Sequence, residues 1–295
     1  MTRESTRHTF LVALSLCLVC SFVVSLAAVS LRDRKQRNRE AFRNRNVLMA
    51  AFPGELSDEA SFVEFYNKRG VSGLEDFFDR FVELRAIRLS SGDAVADIDP
   101  AKYNQLLASR DPARSSELDL RSQPGRDLAG IKSREDIGVV YLVGDSRDPG
   151  GPSSESVRTI VLPIRGYGLW STLKGFVAID GERLASGPEG VTVRGLSYYE
   201  HRETPGLGGE IDNPAWKAKW PGRRVFDSQW AVKLNVTKSP RSEYDVDALT
   251  GATITSNGVS RMLEFWLGDD GYGPFLRRLG GAVPSDRAGT GGSGD

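Results

Sequence analysis

The sequence predicts an α+β protein in which a single N-terminal transmembrane helix is followed by a domain with a mainly antiparallel sheet. An uninterrupted apolar run occupies residues 10–31, and short apolar segments rich in β-branched residues follow one another from Ile137 onward. Helical patterns flank these segments without alternating with them. Strands in series, with helices before and after them, favour an α+β domain over a doubly wound parallel sheet.

Residues 10–31 form an apolar run of the length that a membrane helix needs. The run holds 22 residues, with four serines and no charged side chain, and at about 1.5 Å per residue such a helix crosses about 30 Å of hydrocarbon. A cleaved secretory signal is the alternative, but its apolar core is usually roughly 7–15 residues long. The residues before Cys20 are not small, so a lipoprotein cleavage site is a poor match. The run favours a retained anchor.

The composition on either side of the anchor predicts five regions. A strongly basic segment follows the anchor and is typical of a solvated helix extension at anionic lipid headgroups. The C-terminus is rich in Gly, Ser and Asp, as disordered tails are. The regions are an N-terminal stub at 1–9, the transmembrane helix at 10–31, a basic juxtamembrane linker at 32–54, a folded domain at 55–280 and a disordered tail at 281–295.

The charges around the anchor favour a cytoplasmic domain. Between positions 32 and 45 the chain carries seven Lys or Arg residues and two acidic residues, whereas Arg3, Glu4 and Arg7 precede the anchor. Positive charge tends to stay in the cytoplasm, although long domains cross the membrane regardless of flanking charge. Charge alone therefore leaves the orientation open.

Within the domain, spacing and turn signals predict three helices and five strands. The helices begin at a capping box at 72–75, at the Asn213-Pro214 pair and after Gly258. The polar, Pro- and Gly-rich stretch at 105–130 is expected to be a surface excursion. The predicted strands are IGVVYLVG (137–144), VRTIVLPI (157–164), LKGFVAID (173–180), GVTVRGLSYYEH (190–201) and WAVKLNVT (230–237).

The charge balance and the scarcity of His and Cys exclude several classes of site. The 39 Lys and Arg residues equal the 39 Asp and Glu residues, so no overall positive charge favours nucleic acid. The two histidines, His8 and His201, are too few for a His-based zinc site or a Ser-His-Asp relay. Both cysteines, Cys17 and Cys20, lie in the apolar run. We therefore predict no metal site and no catalytic residue in the domain.

Two loops combine small and hydroxyl-bearing residues in the way that ligand loops do. Three glycines in the loop at 203–210 let its backbone approach a planar or anionic ligand, and an ordinary turn is the alternative. The loop at 247–258 leads into a predicted helix, whose N-terminal N–H groups favour an anion. Simple N-capping by Thr255 or Ser256 explains this second loop equally well.

The second loop carries a specific motif. Its sequence, DALTGATITSNGV, resembles the Asp-x-x-Ser/Thr-Gly-Ala-Thr flavinylation signature of two related groups of FMN-binding domains, the NqrC subunits of sodium-translocating NADH:quinone reductases and the RnfG subunits of the Rnf complex. The resemblance spans residues 165–280. Further blocks that resemble the quinone reductase group are GLWS (168–171), GLSYYEHRETPGLGGEIDNPAWKAKW (195–220) and FWLGDDGYGPFL (265–276).

The resemblance implies that FMN is covalently bound to Thr253, the last residue of the motif. In that family the threonine carries the flavin through a phosphoester bond, which a separate FAD-dependent, magnesium-requiring flavin transferase forms. The phosphate is expected against the loop before Thr253, and the ring against the Gly-rich loop with a lysine nearby. The residues that the resemblance assigns to cofactor binding are Trp170, Glu203, Thr204, Leu207, Gly208, Lys233, Thr250, Gly251 and Ala252.

The function that the resemblance implies is electron transfer within a Na(+)-translocating NADH:quinone oxidoreductase of the bacterial inner membrane. Electrons are expected to come from an iron–sulfur centre held by a pair of membrane subunits and to pass to a second FMN-bearing membrane subunit, so the chain is not catalytic alone. The family places the flavin domain in the periplasm and the stub at 1–9 in the cytoplasm, against the charge pattern. An Rnf-type subunit of the same domain family and a flavin-free anchored binding module are the alternatives.

Overall fold

The computed structural model describes residues 6–118, 127–144 and 157–281. Most of the predicted N-terminal stub and of the predicted disordered tail lies outside these residues. The chain separates into two units, Met1–Asn44 and Arg45–Asp295.

Helix α1 (Thr6–Ser30) contains all of the predicted membrane anchor except its last residue, Leu31. Its residues His8–Ser30 are long and apolar enough to cross a membrane, with a mean hydropathy of 2.6. Beyond Leu31 the chain continues as helix α2 (Arg32–Ala51), so the basic segment predicted to be a linker is helical. Residues 45–51, about the last two turns of α2, belong to the second unit, where Ala51 is fully buried. The folded unit therefore includes part of the predicted linker.

The second unit contains the remaining helices and strands. In chain order they are α3 (Glu59–Arg69), α4 (Leu74–Phe81), β1 (Val82–Arg88), α5 (Gln105–Ala108), β2 (Ser115–Glu117), β3 (Ser133–Glu135), β4 (Ile137–Gly144), β5 (Val157–Tyr167), β6 (Thr172–Asp180), β7 (Val193–Glu200), α6 (Pro214–Lys217), β8 (Asn235–Thr237), β9 (Asp245–Asp247), α7 (Thr253–Leu267) and α8 (Gly273–Leu279).

A five-stranded sheet in the order β1-β4-β5-β6-β7 forms the centre of this unit, and all its neighbouring strands are antiparallel. A tight turn joins β5 to β6, with Tyr167 opposite Thr172. The start of β6 lies beside the end of β7, where Lys174 is opposite Glu200. The β5–β6 turn and the chain leaving β7 therefore meet at one end of the sheet. The predicted α+β class with a mainly antiparallel sheet is confirmed.

Alternate side chains of the central strands pack on opposite faces of the sheet. On β4, Leu142 lies in the core that α7 and α8 cover, whereas Tyr141 lies in a second core covered by α3, α4 and the end of α2. Strands that are covered on both faces need apolar residues at successive positions rather than an alternation with polar ones. This explains the nearly continuous apolar run of 137–144, which matches β4 in both bounds.

Two segments differ from the predicted strand pattern. The predicted strand at 230–237 is shorter in the structure, where only β8 (Asn235–Thr237) forms a strand. The first residues of the predicted strand belong to a turn, which the carboxylate of Asp227 closes by accepting the N–H groups of Gln229 and Ala231. The second segment is β1. Its first residue, Val82, continues the helical spacing of the apolar residues in α4, but in the structure it begins a strand and pairs with Val143 of β4. The Asp227 turn therefore shortens the predicted strand, and pairing with β4 makes residues after α4 a strand.

The predicted capping box at 72–75 is wrong. Gly73 is the N-cap of α4, and no side chain caps that helix. Ser72 instead binds the carboxylate of Asp76, through its N–H at 2.7 Å and its hydroxyl at 3.2 Å. A capping box does begin α3, where Asp58 and Ser61 bind each other's backbone N–H groups. There a serine takes the place that glutamate usually has in this motif.

The stretch at 105–130 is more than a surface excursion. It contains α5 and β2, and β2 pairs with β3. The side chain of Gln105 donates to the buried carboxylate of Glu135 at 2.9 Å, and Glu135 pairs with Arg165 of β5 at 2.6 Å. Polar residues of this stretch therefore bind charged groups in the interior, while positions 119–126 lie outside the described residues.

Candidate functional site

The motif threonine, Thr253, is the first residue of α7 and is exposed. The N-cap is Ala252, and no side chain caps the helix. The first N–H groups of a helix have no intrahelical partner and lie at the positive end of its dipole. This end of the 15-residue helix α7 can therefore hold an anion beside the hydroxyl of Thr253.

Neither of the two residues considered as N-caps has that role. The helix begins before both of them, at Thr253. The hydroxyl of Thr255 donates to Oε2 of Glu203 at 2.8 Å, and the hydroxyl of Ser256 accepts the N–H of Leu249 at 3.0 Å. The capping alternative for this loop is wrong, and both side chains instead hold neighbouring segments against α7.

Close backbone contact fixes the position of α7 against the sheet. A Cβ at Gly258 would lie 2.5 Å from the carbonyl oxygen of Tyr167, the last residue of β5. A residue without a side chain is therefore required for the observed approach. The contact brings the first turn of α7 beside the β5–β6 turn, residues 168–171.

A single buried carboxylate, that of Glu203, joins three segments of the site. Glu203 is 5% exposed and lies in the loop after β7, which we call the Glu203 loop (residues 203–208). Its Oε1 accepts the N–H groups of Trp170 at 3.0 Å and Ser171 at 3.2 Å, and the N–H of Leu169 lies 3.2 Å from both oxygens. Thr255 of α7 donates to its Oε2.

These hydrogen bonds keep Glu203 ionised. Burial alone raises the pKa of a carboxyl group, because it penalises the charged form. The bonds from the Thr255 hydroxyl and from the N–H groups of Trp170, Leu169 and Ser171 outweigh burial, so that the pKa of Glu203 lies below its ordinary value. Hydrogen bonds to a charged group contribute about 1.5–3 kcal/mol each, so the carboxylate is a strong link between its partners.

The Glu203 loop packs closely on the carboxylate and on the motif loop. A Cβ at Gly208 would lie 2.6 Å from Oγ1 of Thr255 and 2.7 Å from Oε2 of Glu203. The carbonyl of Thr204 accepts the N–H of Leu207 at 3.1 Å, which closes the loop. The Leu207 side chain lies against Gly251, a motif residue with φ of 73°. The structure thus brings the Gly-rich loop and the motif loop together.

Exposed apolar side chains are concentrated at this place. From Arg45 onward, seven large apolar side chains of the described residues are exposed, and five of them lie in or next to the three segments that Glu203 joins. Trp170 is 66% exposed. Such a concentration on one surface marks a ligand or partner site. The five side chains are Tyr167, Leu169, Trp170, Leu207 and Ile254.

Three further residues that the resemblance assigns to the cofactor, Thr250, Ala252 and Lys233, have no hydrogen bond to Glu203 among the described residues. Thr250 is exposed in the turn before α7, and Ala252 is buried with its N–H bound to the carbonyl of Leu249 at 3.2 Å. Lys233 follows the turn that Asp227 closes, and its Nζ is 3.5 Å from Oδ2 of that residue. Within the described residues, no hydrogen bond or ion pair connects Lys233 to the Glu203 network. Its place near a cofactor stays a prediction from the resemblance.

His201 is part of the site, although no signal in the sequence points to it. Its Nδ1 accepts the N–H of Glu203 at 3.2 Å, and its Nε2 lies 2.7 Å from Oδ2 of Asp212. Lys217 of α6 donates to the other oxygen of Asp212 at 2.9 Å. These bonds tie the start of the Glu203 loop to α6. No residue spacing reveals such an arrangement, because it depends on how the loop folds back.

The arrangement fits FMN. A flavin mononucleotide offers a dianionic phosphate and a flat, largely apolar ring system. The uncapped N-terminus of α7 suits the phosphate, and exposed Trp170 and Leu207 offer apolar surface to a ring. Thr253, the first residue of α7, is exposed at this N-terminus, where the phosphate is expected.

Comparisons with known proteins agree with this geometry. The model of the FMN-binding domain family matches residues 168–268, a range that contains the β5–β6 turn, the Glu203 loop and the motif. The NqrC subunit of the Na(+)-translocating NADH-quinone reductase of Pseudomonas aeruginosa is 40% identical over 285 residues, which cover 94% of this chain and 97% of that protein. The corresponding subunit of Yersinia pestis is 39% identical over 282 residues, with 94% of each chain covered.

Solved structures show the same fold. The crystal structure of Shewanella oneidensis NqrC matches with a TM-score of 0.63 and 30% identity, covering 83% of this chain and 98% of that one. The corresponding structure from Parabacteroides distasonis, at 22% identity, shares the fold with a TM-score of 0.56. The relatives align over nearly their whole length, so the similarity is not limited to one shared domain. The chain belongs to the NqrC family of subunits of the Na(+)-translocating NADH-quinone reductases.

Proposed function

We propose that this chain is the NqrC electron-transfer subunit of a Na(+)-translocating NADH:quinone oxidoreductase and carries FMN on Thr253 through a phosphoester bond. The observation that carries this proposal is the position of Thr253, exposed at the uncapped N-terminus of α7 beside the cluster of exposed apolar side chains. Membership of the NqrC family supports the same function.

The hydroxyl of Thr253 is free to form the bond. It has no hydrogen-bond partner among the described residues that would have to be displaced. Thr253 Oγ1 would form a bond to the phosphorus of the FMN half of FAD while the bond between the two phosphates breaks. AMP leaves, and the hydroxyl proton passes to the flavin transferase. We assign this step to a separate flavin transferase, as the family resemblance implies.

The residues of this chain bind and orient the cofactor. The N–H groups of the first turn of α7 hold the phosphate, and Trp170 and Leu207 supply apolar surface for the ring. When bound, FMN supplies the redox chemistry of electron transfer. Glu203, with both oxygens engaged by protein donors, holds the segments around it.

We further propose that α1 anchors the domain in the bacterial inner membrane with the flavin site on the periplasmic side. The apolar segment His8–Ser30 supports the anchor, and the family resemblance supports the side. The basic residues between positions 32 and 45 oppose it. Alkaline phosphatase fused after Gly281 tests the orientation, since that enzyme is active only in the periplasm, and an inactive but expressed fusion would contradict it.

The partners in this proposal are the other subunits of the complex. They comprise a pair of membrane subunits with an iron–sulfur centre, which delivers electrons, and a membrane subunit with a second FMN, which receives them. The names of the relatives, all subunits of a reductase, support assembly with other subunits. Co-purification of the full chain with such subunits, identified by mass spectrometry, tests this part of the proposal.

The test of the covalent site is intact-mass analysis of the full chain after co-expression with a flavin transferase. We expect the wild type and Thr253→Ser to gain the mass of one FMN less one water, because both have a hydroxyl at this position. Thr253→Val is expected to stay unmodified, and Thr237→Val, in β8, is the control that should be modified. An unmodified wild type beside an active transferase would contradict the proposal and favour the flavin-free binding module.

A further inference from the structure

Glu203 is a buried carboxylate whose neutralising partners are hydrogen-bond donors rather than cations. Its side chain is nearly inaccessible, yet within the described residues no charged neighbour forms an ion pair with it. A buried carboxylate in that situation is costly unless hydrogen bonds replace its hydration. Five donors do so here, the N–H groups of Leu169, Trp170 and Ser171, the hydroxyl of Thr255 and, at 3.5 Å, the hydroxyl of Ser171.

The donors come from two segments that are distant in sequence. Three consecutive N–H groups of the β5–β6 turn converge on the carboxylate, an arrangement that favours an anion. The first turn of α7 contributes the hydroxyl of Thr255 to the other side of the same group. The carboxylate itself belongs to the Glu203 loop. One side chain therefore fixes the distances among all three segments of the site.

Packing does little to hold the side chains that these segments present. Trp170 is 66% exposed, Ile254 55% and Leu207 45%. Their positions therefore depend on the backbone that carries them, and Glu203 is bonded to that backbone on two sides. Both carboxylate oxygens are used in these bonds. Glu203 is thus directed into the protein rather than toward a ligand.

We propose that Glu203 is a positioning residue that holds Trp170 and the first turn of α7 in the arrangement that receives the flavin. This inference rests on the proposed function, since it concerns the same site. Glutamine at this position would have nearly the same shape but no charge. If its oxygen keeps accepting from the turn, its NH₂ group faces Thr255, whose hydroxyl must then accept instead of donate. The bonds to the turn are weakened, because hydrogen bonds to a neutral oxygen are weaker than those to a carboxylate.

The first test is amide hydrogen exchange in the full chain without flavin, on Glu203→Gln and on the control Glu200→Gln. Glu200 is a suitable control because it is exposed at the end of β7 and pairs with Lys174 at 2.7 Å. We expect the amides of residues 169–171 to exchange at least about tenfold faster in Glu203→Gln. The control should match the wild type. Unchanged exchange in a folded Glu203→Gln variant would overturn the inference.

The second test measures how fast the flavin is attached by a flavin transferase, and the midpoint potential of the attached flavin. Thr255→Val removes the donor to Glu203 at nearly constant shape, while Thr255→Ser keeps it. We expect slower attachment and a shifted potential in Glu203→Gln and Thr255→Val, and values near those of the wild type in Thr255→Ser and Glu200→Gln. The comparison of Thr255→Val with Thr255→Ser tests the positioning role of Glu203 even if Glu203→Gln fails to fold.

The two proposals fail in distinguishable ways. If the wild type is modified, and Glu203→Gln and Thr255→Val are modified at the same rate with the same potential, the positioning role is overturned while the proposed function stands. If the wild type is not modified by an active transferase, the proposed function fails, and the exchange rates at residues 169–171 alone decide whether Glu203 positions the turn.

Discussion

Gly258 of α7 lies directly against the carbonyl oxygen of Tyr167 at the end of β5. A Cβ at Gly258 would be 2.5 Å from that oxygen, closer than such atoms approach in proteins. The obstacle is backbone, so it cannot rotate away as a side chain could. The contact keeps the first turn of α7 next to the β5–β6 turn, on which the candidate site depends.

Gly258→Ala is expected to destabilise the folded unit by about 1–3 kcal/mol, because the added methyl group forces the helix away from the strand. The same change at an open position inside a helix stabilises by about 0.5–1 kcal/mol. Asn257→Ala, at the exposed neighbouring position of α7, is the control. Urea unfolding measures both variants. A Gly258→Ala protein as stable as the wild type would show that α7 can move without cost.

Trp170→Ala is expected to affect the flavin and leave the fold intact. The side chain is 66% exposed, so its removal should change the free energy of unfolding by less than about 0.5 kcal/mol. If the indole ring lies beside the flavin, its loss should increase the fluorescence of the attached flavin, since an adjacent indole quenches it. Leu107→Ala, at another exposed apolar position, should leave the fluorescence unchanged. Equal fluorescence in Trp170→Ala would contradict a place beside the ring.

A pair of variants at His201 separates its two hydrogen bonds. Nδ1 accepts the N–H of Glu203, so the neutral ring carries its proton on Nε2 and donates to Asp212. Asparagine can replace the acceptor at Nδ1, and glutamine can replace the donor at Nε2. We expect the amide of Glu203 to exchange several-fold faster in His201→Gln than in His201→Asn. Equal exchange in both variants would mean that His201 does not hold the Glu203 loop.

Much of the architecture follows from local sequence. The apolar run at 137–144 predicts a strand with the observed bounds, because a strand covered on both faces needs an uninterrupted apolar run. Pro214 at the first position of α6, behind the N-cap Asn213, also matches the prediction. The anchor is helical, as its composition indicates. These features depend on residues that are neighbours in the chain.

The role of Glu203 could not be predicted in the same way. The resemblance assigns it to the flavin, whereas in the structure its carboxylate is bonded to a turn about 30 residues earlier and a helix about 50 residues later. Thr255 is a strong N-cap candidate by residue type. Because α7 already begins at Thr253, its hydroxyl instead donates a hydrogen bond to Glu203. Such roles arise when the sheet brings loop ends together, and no spacing in the sequence specifies them.

The lowered pKa of Glu203 leads to a prediction about pH. The hydrogen bonds to its carboxylate outweigh burial, so the pKa in the folded protein lies below the ordinary value of 4.5. A group with a lower pKa in the folded state contributes stability above its ordinary value, and this contribution is lost as the pH falls through the folded value. Protonation also places a hydrogen on a Glu203 oxygen that accepts hydrogen bonds from the β5–β6 turn or from Thr255.

We therefore expect the stability difference between the wild type and Glu203→Gln to be constant at neutral pH, to shrink once the pH falls below the ordinary carboxyl value, and to level off below the folded pKa at the difference between a protonated glutamate and a glutamine. Urea unfolding at a series of pH values measures it. Asp76 and Asp245 also have lowered pKa values, but they titrate in both proteins and cancel in the difference. A difference that persists undiminished into strong acid would mean that the carboxylate charge is not what holds the β5–β6 turn to α7.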